Sequence, residues 1–256
     1  MNIKVIVAVH KPYWMPTDGC YLPLHVGKEG KNDIGFVGDN TGDNISSKNA
    51  NYCELTGLYW AWKNLQADYI GLCHYRRYFT NRNPLNIEKK RAAILTTAEF
   101  EKILLQTDII VPDKRNYYIE TTKKQYEHAH NPADLEATER IIAERYTEYM
   151  PAFKKVMDRT WGHRFNMFVM RKDYFDEYCT WLFAILFELE KRIDISAYDA
   201  YNARVFGFIA ERLLDVWLET NKLSYVEQNV CYMEKQNWFI KGGNFLKRKF
   251  MGNYFF

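Results

Sequence analysis

The chain has 256 residues, with 35 Lys and Arg against 32 Asp and Glu, for a formal net charge of +3. That length suits one sizeable α/β core or at most two small domains, and so slight a positive excess gives no ground for general nucleic-acid binding. The five cysteines lie far apart with no Cys-x-x-Cys pair, which argues against a zinc site or disulfide framework and for a reducing cytoplasm. Met1 leads straight into a strand-like run without a basic and apolar leader, and the longest unbroken apolar run, Trp181 to Phe187, is far too short to span a bilayer.

Ile3 to Val9 is a β-branched run that reads as a central strand, ended by His10, Lys11 and Pro12, which places polar groups at the carboxyl edge of a sheet. Tyr13 to Asn49 is rich in Gly, Pro, Asp and Asn, and only Gly35 to Val37 looks strand-like. Its stretch Gly38 to Ser46 is a long turn-former, of the kind that is usually functional or disordered. Asp39, Asp43 and Asn44 are candidates there for ribose hydroxyls or a cation, although such residues more often cap turns. No GxGxxG or Walker spacing accompanies them.

The stretch from Asn51 to Phe79 organises the rest. Asn51 is placed to cap a helix with Glu54 three residues on, and Leu55, Leu58, Tyr59 and Trp62 recur at helical spacing to about Asn64. This capping box gives Glu54 a complete structural role. Tyr69 to Cys73 is a short apolar run without helical period, as in a buried strand, and it ends in His74, Tyr75, Arg76, Arg77 and Tyr78. Ligands of open α/β sheets sit outside the carboxyl ends of the strands, and guanidinium groups suit phosphate, so an anionic ligand is expected at this point.

Thr80 to Arg91 reads as irregular. Thr96 and Glu99 form a second capping box before Phe100, Ile103 and Leu104, and Asp108 to Pro112 is another short strand. Lys114 to Asn131 is polar and loop-like; His128 and His130 within it would share a face only on a strand, which disfavours a metal pair. Leu135 to Tyr149 suggests a surface helix ended near Pro151. Phe165 to Met170 reads as a strand, Tyr174 to Ile193 as the clearest helix, and Ala200 to Thr220 as a further helix.

The words IKVIVAVHK (3–11), TGDNIS (41–46), ELTGLYWAWKN (54–64) and GLCHYRRYF (71–79) resemble a family of bacterial glycosyltransferase-like domains first catalogued as a domain of unknown function. The likeness continues through NMFVM (166–170), WLFAILFELEKRIDIS (181–196) and RVFGFIAERLLDVWL (204–218). The resemblance implies a GT-A-like three-layer α/β/α sandwich with a mostly parallel sheet, spanning residues 1–234 as one domain. It also implies a nucleotide-activated donor, a UDP-hexose with galactose favoured, and a lipid-linked glycan acceptor in capsular, exopolysaccharide or lipopolysaccharide synthesis. Enzymes of this fold commonly hold a divalent cation with Asp-x-Asp. No Asp-x-Asp occurs in this chain, so no cofactor is expected to be required, and His74, Arg76 and Arg77 are expected to neutralise the diphosphate directly.

The expected substrate-binding residues are Val9, His10, Lys11, Asp39, Asp43, Asn44, His74, Tyr75, Arg76, Arg77, Asn166 and Arg204, with Asn166, Asp199 and Glu211 toward the sugar and acceptor. An inverting transferase needs a carboxylate as general base, and Glu211 and Asp199 are the candidates. The competing readings are a non-catalytic binding subunit of a polysaccharide assembly complex and, more remotely, a metal-dependent hydrolase using His128 and His130. From Lys235 onward five cations alternate with Trp and Phe and no acid remains. This tail, 235–256, is expected to hold the protein peripherally at the inner face of the cytoplasmic membrane.

Overall fold

The computed structural model describes residues 1–82 and 84–234; the basic-aromatic tail from Lys235, with the membrane contact expected of it, lies outside the described residues. β1 (Ile3–Val9) turns Ile3, Val5, Val7 and Val9 into one core cluster and Ile6 and Ala8 into another. Successive side chains of a strand point to opposite faces, and with both faces covered the strand reads as a continuous apolar run. There follow β2 (Tyr21–His25), β3 (Val37–Gly38), α1 (Asn49–Tyr52), α2 (Leu55–Asn64), β4 (Tyr69–His74), β5 (Arg77–Phe79), α3 (Ile87–Arg91), α4 (Thr97–Leu104) and β6 (Ile109–Pro112). The second half holds β7 (Arg115–Asn116), α5 (Thr122–Ala129), α6 (Pro132–Arg145), α7 (Met150–Asp158), β8 (Trp161–Gly162), β9 (Phe168–Arg171), α8 (Lys172–Arg192), α9 (Val205–Thr220), β10 (Val226–Gln228) and β11 (Val230–Tyr232).

The main sheet has the order β10-β6-β9-β4-β1-β2-β3. β1 is parallel to β2 and β4, β2 to β3, and β10 to β6, whereas β9 lies antiparallel between β4 and β6. β9 alone along this path therefore runs against the rest. Gly71 makes its insertion possible: a Cβ there would come within 2.8 Å of the Phe168 carbonyl oxygen. β5 folds back antiparallel from β4 and pairs with β11. One face of the sheet packs against α2, α6, α7, α8 and α9, the other against α4 and the β5–β11 ribbon, giving the expected three layers. The carboxyl ends of β1, β2, β3, β4, β6 and β10 share one edge with the amino end of β9.

Several expectations change. The helix expected from Asn51 to Asn64 is broken at Cys53, whose φ is +53°, and neither Asn51 nor Glu54 makes a capping bond. Asn51 instead donates to the Ala203 carbonyl at 2.9 Å. β2 lies in a segment read as loop, because its Pro23 counts against a strand; in the structure Pro23 stands opposite Val7. The strand expected over 35–37 is only Val37–Gly38. α3, capped by the Asn86 side chain, and α5, capped by Thr121, replace expected irregular stretches. Pro151 opens α7 rather than closing α6, since the missing N–H costs nothing in a first turn. β9 starts at Phe168 and α9 at Val205, each later than the sequence suggested.

Candidate functional site

β4 delivers His74 to the carboxyl edge, and the chain turns through Tyr75 and Arg76 into β5 at Arg77. Facing it, Phe165 and Asn166 adopt left-handed backbone conformations, with φ of 76° and 52°. Residues with side chains hold such conformations only where the surroundings over-determine them, often at functional sites. His74 Nε2–H donates to the Phe165 carbonyl at 2.5 Å, and the Phe165 N–H donates to Glu211 Oε1 at 3.1 Å. Asn166 Nδ2 donates to Glu54 Oε1 at 2.7 Å and to the Gly207 carbonyl at 3.1 Å. The dipeptide is thus clamped by β4, by the start of α2 and by α9. A carbonyl only accepts, so His74 carries its proton on Nε2. Burial lowers the His74 pKa against the opposing pull of Glu54, and Arg77 lowers it further, so the ring is a neutral spacer.

The Arg77 guanidinium lies 4.5 Å from the Phe165 ring centroid and 6.0 Å from that of Tyr232. Burial lowers its pKa, but a guanidinium stays charged at neutral pH. Among the described residues Arg77 makes no ion pair, and its Nε has no hydrogen-bond partner. Arg76 differs: it pairs with Glu234 at 3.2 Å and its guanidinium lies 5.0 Å from the Tyr75 ring. The sequence treated the two arginines as equivalent; in the structure Arg76 is ion-paired, whereas the half-buried Arg77 makes no ion pair among the described residues and feels Glu211 and Glu54 only across the cleft.

These residues line a cleft of about 730 Å³, which also takes in His10, Glu54, Arg204, Phe208 and Glu211. His10 has its pKa lowered by burial and then by Arg76, and it meets Tyr75 edge-on at 5.4 Å. Of the expected site, His10, His74, Tyr75, Arg76, Arg77, Arg204 and Glu211 therefore share one cavity. Lys11 stands beside it, Nζ 5.6 Å from the Tyr75 ring, while Val9 is core and Asn166 is buried behind the wall.

Asp39 is fully buried, accepting from the Gly27 and Lys28 N–H groups and from the Ser46 and Thr56 hydroxyls; it builds the β2–β3 corner and does not line the cleft. Asp43 accepts from the Tyr59 hydroxyl and Asn44 from the Ser46 N–H, both as turn-formers outside the cleft. Asp199 also lies outside it: on the surface its Oδ1 accepts from the N–H groups of Tyr201 and Asn202. Gly207 of α9 is not needed for a close approach, since a Cβ there would sit in ordinary contact, 3.5 Å from Cys53 Sγ.

Glu54 is the residue that sequence reasoning missed. The capping box offered it a complete structural explanation, and only the break at Cys53, which no local pattern signals, frees it to face the cleft. Arg115, Glu120 and His128 line the cleft from the region read as loop. His128 Nδ1 lies 3.0 Å from Glu120 Oε1, and His130 stacks on Phe208 at 4.0 Å, so the two histidines point to different partners. Among the described residues no cluster of three or more His, Cys, Asp and Glu side chains could hold a metal.

Behind the cleft, Asp215 of α9 accepts from the His163 N–H at 3.0 Å and lies 2.6 Å from Arg159 and 3.6 Å from Arg164. Burial opposes its ionisation, but the His163 hydrogen bond and the neighbouring arginines outweigh that and hold its pKa below the ordinary value. Arg164 also donates to the Tyr117 hydroxyl at 2.8 Å. This network pins the segment that feeds Phe165 and Asn166.

The strand order, with one antiparallel strand among parallel ones, makes a three-layer α/β domain with a cationic cleft at the carboxyl edge of its sheet, and its likeness to a solved glycosyltransferase identifies this as a GT-A-like fold. Residues 4–222 match the family described as Domain of unknown function (DUF4422), and the chain belongs to that family. Among solved structures it is similar to the apo form of WbbM, a bifunctional glycosyltransferase, at 34% identity and a TM-score of 0.84, over 92% of this chain. The match takes in 46% of the WbbM chain, so this protein spans just under half the length of that relative. No curated protein matches.

Proposed function

We propose that the protein is a glycosyltransferase that takes a hexose, galactose being favoured, from a UDP-sugar and passes it to a lipid-linked glycan in surface polysaccharide synthesis. The observation that carries this reading is Arg77, a half-buried guanidinium without an ion-pair partner among the described residues, facing a cleft at the carboxyl edge of a fold shared with a glycosyltransferase. A diphosphate would supply the missing charge, and negative charge that builds on it as the glycosidic bond breaks would be stabilised there. Arg76 and Lys11 lie beside it for the remaining phosphate oxygens.

Three carboxylates line the cleft, and of these Glu120 lies against His128, Oε1 to Nδ1 3.0 Å. Glu211 is engaged through both oxygens, by the Phe165 N–H and by Arg212 at 3.3 Å. Glu54 has Oε1 fixed by Asn166, which leaves Oε2 to accept a proton. Glu54 is therefore the better general base: it takes the proton of the acceptor hydroxyl as that oxygen attacks the anomeric carbon and UDP departs. Glu211 holds the Phe165 turn. The absence of Asp-x-Asp supports turnover without a divalent cation, so EDTA should leave it intact, and manganese-restored activity after a complete loss would contradict this. The acceptor's lipid supports a place at the cytoplasmic membrane surface through the basic tail.

A thermal-shift screen of nucleotide sugars, followed by hydrolysis of the best binder, tests the reading. A ligand that binds only the native state raises its apparent stability. Binding with slow hydrolysis, reduced about 10²- to 10⁴-fold in Glu54→Gln, is expected. Binding with no turnover under any acceptor condition would favour a non-catalytic subunit.

A further inference from the structure

The cleft has two aromatic ends. On the Arg76 side Tyr75 meets His10 edge-on at 5.4 Å and Tyr13 at 4.8 Å. On the other side His130 stacks on Phe208 at 4.0 Å, and Tyr201 packs on both, 5.2 Å from Phe208 and 5.7 Å from His130. A continuous series of contacts links Arg77 to this second end. Arg77 lies on Phe165, Asn166 joins Phe165 to Glu54, Cys53 next to Glu54 accepts from Arg204 Nε at 3.1 Å, and the Arg204 guanidinium lies 5.4 Å from the Phe208 ring. Glu54 thus stands between the cationic corner and the Tyr201 end.

Tyr201 is unusual in this setting. It is 46% exposed although it lines the cleft, whereas Tyr75 and Tyr117 of the same cleft are buried. Its place is nevertheless fixed from both sides. The Asp199 carboxylate accepts from the N–H groups of Tyr201 and Asn202 at 2.8 and 2.7 Å. Three residues earlier, the Tyr198 hydroxyl donates to Asp134 at 2.8 Å and accepts from Asn131. An exposed aromatic ring whose backbone is locked, with an arginine at its border, is a preformed platform that loses little conformational freedom when something lies on it.

We propose that Tyr201, backed by Phe208 and His130 and bordered by Arg204, is the acceptor-sugar subsite: one hexose ring of the acceptor glycan lies with its C–H face on Tyr201. This rests on the transferase reading. The stacked face satisfies the apolar side of the sugar, and the Arg204 and Gln125 side chains, which also line the cleft, face its hydroxyls. The hydroxyl that attacks then lies toward Glu54, and the donor stays on the Arg77 side with its base at the Tyr75 cluster. Asp199 becomes a positioning residue for the platform.

The test uses the full chain and two probes. Saturation-transfer NMR with methyl β-galactoside and a galactose disaccharide reads the platform, and calorimetry with UDP reads the donor side. Saturation of the sugar C–H protons is expected for the wild type and for Tyr201→Trp. Binding in Tyr201→Ala should be about 5- to 10-fold weaker, with UDP affinity unchanged. Undiminished sugar binding in Tyr201→Ala, or no sugar signal from the wild type, would overturn the proposal, as would a tenfold loss of UDP affinity in Tyr201→Ala, which would place the nucleotide base there. Sugar binding that depends on Tyr201 in a protein that binds no nucleotide would leave the subsite standing and remove the transferase reading. Circular dichroism and melting of each variant separate lost contacts from lost folding.

Discussion

Two arginine-rich regions lie within one fold and treat their charge in opposite ways. Around Asp215, the Arg159 and Arg164 guanidiniums and the His163 ring converge on one buried carboxylate, so both guanidiniums find an ion-pair partner inside the protein. At the end of β4, Arg77 is enclosed between Phe165 and Tyr232 with no ion-pair partner among the described residues. The first arrangement holds a segment in place; the second leaves charge to be met by a ligand. The two are joined, because the segment pinned by Asp215 is the one that presents Phe165 to Arg77.

The largest expected effect falls on the compensated side. Asp215→Ala strips the partner from Arg159, Arg164 and the His163 N–H, and breaking such a buried pair costs about 3–5 kcal/mol. Urea denaturation should show that loss, and a change under 1 kcal/mol would mean that the cluster is solvated and the comparison false.

Next comes the clamp between the two regions. Asn166→Ala removes the bonds to Glu54 and Gly207 while keeping a side chain at a φ of 52°. A destabilisation of about 1–3 kcal/mol is expected, together with a fall in turnover that Asn166→Asp does not restore, since a carboxylate cannot donate to Glu54. Full activity in Asn166→Ala would detach the left-handed turn from the site.

Acidification should separate the regions in sequence. His74, His10 and His25 all have pKa values lowered by burial from the ordinary 6.5. The unfolded chain therefore binds protons first, and stability, full above about pH 6.5, falls as pH drops below it. Asp215 is depressed from 3.8, so its contribution persists until the pH falls below that value and is lost only as it passes through the folded pKa. Melting temperature against pH should decline in two stages, with His74→Asn flattening the upper one. A single transition below pH 4 would show that the histidines are solvated.

The smallest effect belongs to Arg76 and Glu234, whose side chains are 42% and 40% exposed. An exposed pair of this kind contributes about 0–1 kcal/mol, so Arg76→Gln should leave melting nearly unchanged. A large drop would mean that Arg76 belongs with the compensated arginines.

How far the sequence carried these distinctions depends on the range of the interactions involved. β1, β4, α4 and α8 were legible because each is written locally, as a β-branched or apolar run, a capping box, or a helical stripe such as Trp181, Ile185 and Leu189. His74, Arg76 and Arg77 were legible because they follow directly on a strand whose end is visible. β2 was hidden by Pro23 and α5 by its polar composition, and both are held by tertiary neighbours. Glu54 was misread for the same reason. Its local pattern is that of a helix cap, and its partner Asn166 lies 112 positions away in the sequence. The distinction between Arg76 and Arg77 was likewise out of reach, because it depends on Glu234, Phe165 and Tyr232.

The central claim is that Arg77 meets a diphosphate, and calorimetric titration of UDP into the wild type and Arg77→Met tests it directly. The wild type should bind UDP, and Arg77→Met should bind it about 1.5–3 kcal/mol more weakly while melting close to the wild type, because Arg77 makes no ion pair among the described residues. Equal UDP affinity in the two proteins would contradict the account.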